Sequence, residues 1–522
     1  MFRAGLVAAA AASLLALAGP VAPSTLAQAD SVTAAQPGAT AQTVTAAQAQ
    51  RPNILLIMSD DQTTYDLRFM PRTLRLIGRA GVQVTDFLSP HPLCCPARAE
   101  VLTGEYAQNN GVRYNEGPLG GWKAFIQAGN ARHQIGLWLH RAGYQTGFVG
   151  KMLNKYPDSG KPELPGYDHW NPTTLGTYSY FGTHYVNDGH QRQYPQRYVI
   201  DINADYTRSY LKEFASHDQP WFLWVSHVAP HNRRPINNTV TGMPPLAAKR
   251  YHGLFNDEVP PSLGKASFNE ADVSDKPLQP GRTDPARVTW LFQHRIRALQ
   301  AVDEANAEAV NQLRRLGELD NTIIAYVSDN GFLLGEHRLL GKNLPYEEAL
   351  RVPFLMRGPG VPAGKVIDQA LNMVDITATF LAAAGILREV DSAEGLDGMN
   401  MLPVFRGTAT APDTQLIQGG ANGEPLREYG WYWRGVTTRD WTYAHWWDGQ
   451  EELYDNQTDP QQLDNLAGLP ACQALLQQMA ERLSQLGSCS GGDCRRSFGD
   501  PTDTAPCQVP PAPAPGARQR QQ

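Results

Sequence analysis

The 522-residue chain has no basic run longer than two or three residues, and its formal net charge is −6. That balance disfavours nucleic acid as a partner and carries no information about fold. Beyond the first 29 residues, no apolar stretch is long enough to span a bilayer. No internal repeat is apparent. Cysteine is scarce, with six in the whole chain, and no histidine lies close enough to the C-terminal four to suggest a zinc site.

The composition that remains is ordinary for a globular protein, with 42% hydrophobic and 18% charged residues. The length accommodates one large α/β domain and a smaller one. Residues 1–29 read as a signal peptide. Arg3 is followed by the apolar stretch Ala4 to Gly19, and Ala27-Gln28-Ala29 is a small-x-small cleavage site. Pro20 and Pro23 interrupt the apolar run and argue against an anchor. The mature chain is therefore expected to be secreted, periplasmic or extracellular, with no membrane span. Residues 30–50 read as a flexible leader, 51–410 as the large domain and 411–488 as a C-terminal subdomain. Residues 489–507 read as a disulfide-stapled tail, and 508–522 as a disordered Pro/Ala/Gln tail.

The cysteines divide into the adjacent pair Cys94 and Cys95 and a C-terminal group of Cys472, Cys489, Cys494 and Cys507. Direct neighbours are strained as a disulfide. The C-terminal four read as two structural disulfides. Three connectivities are open, with Cys489–Cys494 and Cys472–Cys507 preferred.

Short apolar runs typical of buried strands occur at Ile54–Met58, Gly147–Val149, Trp221–Val225 and Thr322–Val327. Helical periodicity occurs over Pro71–Ala80, Gln134–Ala142, Val288–Leu316 and Ile376–Ala384. The alternation predicts an α/β fold, a large mostly parallel sheet sandwiched by helices. Shorter runs at Gly435–Thr438 and Trp441–His445 predict a smaller antiparallel C-terminal subdomain.

Each of the four strand-like runs opens into polar, chemically capable residues. The first ends in Ser59-Asp60-Asp61, the second in Gly150-Lys151, the third in Ser226-His227-Val228-Ala229-Pro230-His231, and the fourth in Ser328-Asp329-Asn330-Gly331. Open parallel sheets bind ligands beyond their strands' carboxyl ends, so these residues are expected at one edge. Asp60, Asp61, Asp329 and Asn330 offer only oxygen donors, with three negative charges, which suits Ca2+ or Mg2+ rather than zinc. A further element is Cys94-Cys95-Pro96-Ala97-Arg98, followed by Leu102-Thr103-Gly104. Pro96 fits the first turn of a helix. Cys94 would then lie at the helix N-terminus, where the dipole favours developing negative charge.

Cys94-x-Pro96-x-Arg98 with Leu102-Thr103-Gly104 resembles the signature of the sulfatase family, whose fold is alkaline-phosphatase-like. Pro52-Asn53-Ile54 through Gln62, Ser328-Asp329-Asn330-Gly331 and Arg351-Val352-Pro353 resemble further family blocks, as do Asp397-Gly398, Leu402-Pro403 and Glu452-Leu453-Tyr454-Asp455. The resemblance spans roughly residues 51–495 in the family's order. It implies that a formylglycine-generating enzyme oxidises Cys94 to formylglycine. In its hydrated form one hydroxyl would attack sulfur, and the other would allow sulfate to be eliminated with the aldehyde restored. It also implies a metal site of Asp60, Asp61, Asp329, Asn330 and residue 94, holding Ca2+ in preference to Mg2+. Arg98 would hold the nucleophile, Lys151 and Lys342 would grip sulfate oxygens, and His231 would protonate the leaving alcohol.

One position departs from the pattern. Many arylsulfatases carry Gly-Lys-x-His where this chain has Gly150-Lys151-Met152-Leu153. That variant, with Pro165-Gly166-Tyr167-Asp168-x-Trp170 and the cysteine-rich end, resembles the N-acetylglucosamine-6-sulfatase and arylsulfatase branch. The implied substrate is a 6-O-sulfated N-acetylglucosamine-type glycan, another sulfated sugar or an aryl sulfate. His227, His184 or His337 would have to replace the absent histidine as the base for elimination. The segments Asn171–Gln196 and Arg233–Pro285 are where substrate contacts are expected. Two other readings stay open: a phosphodiester or phosphonate monoester hydrolase of the same superfamily, and a non-catalytic cation- or glycan-binding relative.

Overall fold

The first apolar run forms β1 (Asn53–Ser59), every residue of which is buried. Its side chains alternate between two cores. Ile54, Leu56 and Met58 enter one, and Leu55 and Ile57 enter the other. A strand covered on both faces has no solvent side, which is why the sequence shows continuous rather than alternating hydrophobicity. The computed structural model describes residues 51–159, 161–234, 243–421, 430–502 and 507. The signal, leader and distal-tail readings lie outside these residues.

The main sheet adds β2 (Val82–Val84), β3 (Gln145–Gly150), β4 (His169–Pro172), β5 (Trp221–Ser226), β6 (Thr322–Ser328), β7 (Phe354–Arg357) and β8 (Lys365–Ile367). Their spatial order is β8-β2-β7-β6-β1-β5-β3-β4. From β6 across to β4 all neighbours are parallel. Only β7 runs against its neighbours β6 and β2. Because β6, β1, β5 and β3 point the same way, the segments after them emerge at one edge.

Helices cover both faces. On the side of Ile54 lie α1 (Cys94–Thr103), α2 (Ile135–Arg141) and a helix over Val374–Ala383. On the side of Leu55 lie Val199–Phe214 and the 32-residue helix Pro285–Leu316. The latter starts on the Asp284 side chain, which accepts the Ala286 N–H, with Pro285 in its first turn, and it ends at Gly317 with φ 78°. The predicted helix over Pro71–Ala80 is less regular. After Pro71–Thr73 it widens into a π-turn over Leu74–Gly78, which Gly81 follows closely against Met356 and Arg357.

The C-terminal residues form the predicted antiparallel sheet, β9 (Thr414–Gly420), β10 (Trp431–Thr438), β11 (Trp441–Trp446) and β12 (Glu451–Asp455). One face packs on a C-terminal helix, Gln473–Leu486, through Leu416, Val436 and Tyr443 against Leu475 and Met479. The opposite face, with Ile417, Trp433 and Tyr454, packs on Leu333, Tyr346 and Leu350 of the segment after β6. The disulfides are Cys472–Cys507 and Cys489–Cys494, the preferred pairing.

Candidate active site

The sulfur of Cys94 is fully buried at the first turn of α1. Leu93 precedes it in extended conformation, and the next backbone N–H, that of Cys95, is taken by Asn115 Oδ1 at 2.9 Å. Ten residues on, Gly104 adopts φ 72° and closes the helix with its N–H on Glu100 O at 2.8 Å. The Leu102-Thr103-Gly104 motif is thus a helix stop, and it fixes the length of the element that carries residues 94 and 98.

Four strand ends meet this helix. Beyond β1, Asp60 Oδ1 lies 3.5 Å from Cys94 Sγ. Asp61 takes φ 67°, which an aspartate tolerates better than most residues. Its N–H is held by Asp329 Oδ1 at 3.1 Å, from beyond β6. Asn330 donates from Nδ2 to Asp61 Oδ1 at 2.7 Å, across 269 residues of sequence. Beyond β3, the Lys151 ammonium is paired with Asp60. Beyond β5, His231 Nε2 stands 3.7 Å from Asp61 Oδ2. One ligand atom from each of Asp60, Asp61, Cys94 and His231 lies within 4.8 Å of the others.

Arg98, one turn along α1, turns its Nε and Nη2 to Asp329 Oδ2, both at 2.9 Å, and Nη1 to Lys151 O at 2.9 Å. Lys342 reaches in from the segment after β6. Its ammonium pairs with Asp61 and donates to Cys94 Sγ at 2.8 Å, and Asn330 Oδ1 lies 3.4 Å away. All nine predicted site positions therefore share one cluster, buried except for the partly exposed His231 and Lys342, in which three carboxylates face Arg98, Lys151 and Lys342. Four of the five predicted ligand residues converge on the Lys342 ammonium, since Asp60 Oδ1 is 4.0 Å from it. The fifth, Asp329, is engaged by Arg98.

Burial and charge compete over each group. Burial would raise the Asp60 and Asp61 carboxyls, yet the cations around them hold both below the ordinary range, Lys151 acting most on Asp60 and Lys342 on Asp61. Asp329 is pushed up to about 6 by burial and by Asp60, against the pull of Arg98. The Cys94 thiol is pushed up to about 12, by burial and by Asp60. A thiol in that state is protonated at neutral pH and is a poor nucleophile. Burial lowers His231, while Asp61 and Asp60 act to raise it. Its Nδ1 faces the Asn232 carbonyl at 2.7 Å, which leaves Nε2 turned toward the cluster.

A family-model match over more than half of the chain decides the family. The family model described as Sulfatase matches residues 52–386. A second, described as the C-terminal part of N-sulphoglucosamine sulphohydrolase, matches residues 335–488. The chain belongs to the sulfatase family. As a sulfatase it is an enzyme that hydrolyses sulfate esters. It is 31% identical to an arylsulfatase of Chlamydomonas reinhardtii over 509 residues, which cover 87% of this chain and 77% of that protein. It is 30% identical to the N-acetylglucosamine-6-sulfatase of Homo sapiens over 500 residues, covering 86% and 87%. An extracellular sulfatase homologue of Drosophila melanogaster is 34% identical over 403 residues, 73% of this chain but only 34% of that longer protein. Among solved structures, one described as a complex with its substrate D-glucosamine-2-N,6-O-disulfate has a TM-score of 0.67 at 24% identity, covering 83% of this chain and 97% of that one. A phosphonate monoester hydrolase of Agrobacterium radiobacter has a TM-score of 0.64 at 21% identity, covering 84% and 96%. Likeness at those identities establishes the shared fold.

The sulfatase cluster contains groups that sequence reasoning passed over. Tyr178 lies under the Lys151 ammonium, 5.0 Å from ring centroid to nitrogen, and its ring is 4.4 Å from that of His231. It falls within the expected substrate segment Asn171–Gln196, but no motif marks it. Ser226, at the end of β5, accepts a hydrogen bond from Arg98 and gives its own proton to Lys151 O. Of the three histidines considered in place of Leu153, His227 is bound to Asn203 Nδ2 at 3.2 Å and pushed down to about 3 by burial. His337 is bound to Glu270 at 2.6 Å, and His184 lies on a two-stranded hairpin with residues 190–193. Leu153 itself is buried in the core on the Ile54 side of the sheet.

Proposed function

We propose that this sulfatase removes a 6-O-sulfate from an N-acetylglucosamine-type unit of a glycan, using a formylglycine made from Cys94 and a bound divalent cation. The observation that carries the mechanism is the meeting of four strand ends on the head of α1, around the Cys94 sulfur. The substrate class rests on the similarity to the human N-acetylglucosamine-6-sulfatase over most of both chains.

The donor set fits a hard cation. Its atoms are carboxylate and amide oxygens, all buried, and the Lys342 ammonium already draws four of the five ligand residues around one positive centre. Asp60, Asp61, Asp329 and Asn330, with residue 94, would hold Ca2+ in preference to Mg2+, whose tighter octahedral shell is less tolerant of such a site. An ion held by these residues would supply Lewis-acid polarisation of the sulfate and of the nucleophile at residue 94. The unmodified thiol, pushed up to about 12, would not serve. The chain's own groups do the rest. Lys151 and Lys342 hold sulfate oxygens as charge shifts onto them. Arg98, anchored by Asp329 and Lys151 O, orients residue 94. His231 delivers a proton from Nε2 to the departing alcohol oxygen.

Cys94 is buried in the folded chain, so the formylglycine-generating enzyme would act before the fold closes over it. The N-terminal signal reading places that step during export, and the mature sulfatase outside the cytoplasm. Peptide mass spectrometry across Cys94, on protein from its native source, is expected to show the aldehyde. Cys94→Ala is expected to abolish turnover of a 6-sulfated glucosamine while folding normally. A retained thiol in active protein, or faster turnover of a matched phosphodiester than of the sulfate ester, would refute the assignment.

A further inference from the structure

His231 must present one nitrogen to one oxygen, yet the contacts of its nitrogens do little to place it. Nδ1 faces the carbonyl of Asn232, the next residue, so that bond is made within the same loop and moves with it. Nε2 stands 3.7 Å from Asp61 Oδ2, beyond hydrogen-bond distance, and the side chain is 21% exposed. Lys151 is better anchored, because it is buried and paired with Asp60.

A second segment supplies what those contacts lack. Residues Thr177–Ser179 form a single 3₁₀ turn between Gly176 at φ 76° and Tyr180 at φ 67°. A positive φ is uncommon for so bulky a residue as Tyr180. The turn grips the His231 loop in three ways. Tyr180, fully buried, donates from its hydroxyl to His231 O at 2.6 Å. The Tyr178 carbonyl accepts the Arg234 N–H at 2.9 Å. The Tyr178 ring lies against the imidazole, with centroids 4.4 Å apart and planes inclined by 35°. The first two contacts fix the main chain at His231 and three residues on, and the third bears on the side chain itself. The ring has an anchor of its own. Its hydroxyl donates to Asn154 Oδ1 at 3.0 Å, and the Asn154 N–H donates to Cys95 Sγ at 2.8 Å, beside residue 94.

We propose that Tyr178 is a positioning residue for sulfate-ester cleavage, its ring holding the His231 imidazole with Nε2 turned to the departing alcohol oxygen. The proposal rests on the assignment of His231 as proton donor above. A general acid works only within hydrogen-bond reach of its target, and a misplacement of about 1 Å can cost about a hundredfold. An aliphatic side chain at position 178 would fill part of the volume but present no flat face, leaving the imidazole free to turn about its Cβ–Cγ bond. The ring also lies 5.0 Å from the Lys151 ammonium. Acting through Lys151 it would affect all sulfate esters alike, whereas acting through His231 it would affect those whose leaving group needs a proton.

The test is a double-mutant cycle of Tyr178→Leu with His231→Ala in the mature enzyme, read as kcat/KM on two aryl sulfates. Phenyl sulfate expels a phenolate about as basic as a tyrosinate, with a pKa of about 10, and 4-nitrophenyl sulfate expels a much weaker base. The loss caused by Tyr178→Leu should be about tenfold or more greater on phenyl sulfate than on 4-nitrophenyl sulfate. Most of that loss should vanish beside His231→Ala, and Tyr178→Phe, which keeps the ring, should recover most of it. Additive losses, or equal losses on the two esters, overturn the proposal and leave Tyr178 as packing or as a support of Lys151. If Tyr178→Leu fails to fold, Asn154→Ala removes only the acceptor of the hydroxyl and enters the same cycle. Its loss should be smaller, should fall mainly on phenyl sulfate and should vanish beside His231→Ala, and additivity there overturns the proposal equally. A loss for His231→Ala that is the same on both esters would remove His231 as the proton donor and the proposal with it, a failure distinct from additivity.

Discussion

Lys151 is 2% exposed, pairs with Asp60 and sits over Tyr178. From sequence alone it is a lysine after a strand, usually a solvated loop charge, and only its register with the other strand ends singles it out. Lys151→Ala removes one of the two ammonium groups assigned to sulfate. By comparison with the loss of a single oxyanion donor, kcat should fall by about 10²–10³-fold. Asp60 keeps Arg98 and Lys342 within reach, so the variant should still fold. Steady-state kinetics beside a thermal melt separates these effects, and a kcat within about threefold of the parent would assign Lys151 to structure alone. His91 makes the opposite point, since nothing in the sequence marks it apart from its place three residues before Cys94. Its Nε2 accepts the Gly420 N–H at 2.9 Å, and burial followed by Arg113 pushes it down to about 3. The folded chain therefore leaves His91 neutral while the unfolded chain protonates it at an ordinary value of about 6.5. The stability that this provides is complete above about pH 6.5, declines by about 1.4 kcal/mol per pH unit as the pH falls, and levels off near 3. His91→Gln retains an acceptor, so denaturant titrations at about pH 7.5 and pH 5 should show a shallower loss for the variant by about 2 kcal/mol. Equal losses would exclude His91 as a source of acid sensitivity.

At the level of elements, α1 was legible because everything it needs is local: a nucleophile position, a first-turn proline, an arginine one turn on and a glycine stop. The helix Pro285–Leu316 was legible as a helix but not as a support of the site. Arg295, in the first half of it, is fully buried, donates to the Asp61 carbonyl and lies 3.2 Å from Asp66 Oδ2. It therefore grips the backbone of the residue that adopts φ 67°. A sequence pattern cannot reveal this, because an arginine at a helical position is ordinarily a surface residue and its partner lies 234 residues away. Arg295→Gln leaves Asp66 buried without its cation and should cost about 3–5 kcal/mol. Asp66→Asn in the same chain should recover part of that loss, because the second change removes the stranded charge. A double-mutant cycle by urea unfolding measures the coupling, and strict additivity would show that the pair acts independently.

For the molecule as a whole, the shared sheet edge and the antiparallel subdomain followed from short apolar runs and the residues behind them. The placement of the subdomain did not. It packs Trp433 and Ile417 against the segment that carries Lys342, a contact between parts far apart in sequence with no pattern in either to announce it. The proposed ion makes the same kind of long-range connection more directly. Asp60 and Asp61 close β1, Asp329 and Asn330 close β6, and the Asp61–Asp329 hydrogen bond spans 268 residues of sequence. A cation bound there in the native state alone ties these segments together, and the unfolded chain, with its ligands scattered, has no such site. Stability should therefore rise with free Ca2+ after chelator treatment, reaching about 2.7 kcal/mol when Ca2+ is at about 100 times its dissociation constant. Each further decade of Ca2+ should add about 1.4 kcal/mol, and the slope should vanish in Asp61→Ala. Mg2+ should produce the same response only at higher concentration. An unfolding free energy indifferent to both ions across about three decades would remove the cation from the mechanism and leave the carboxylates as partners of Arg98, Lys151 and Lys342 alone.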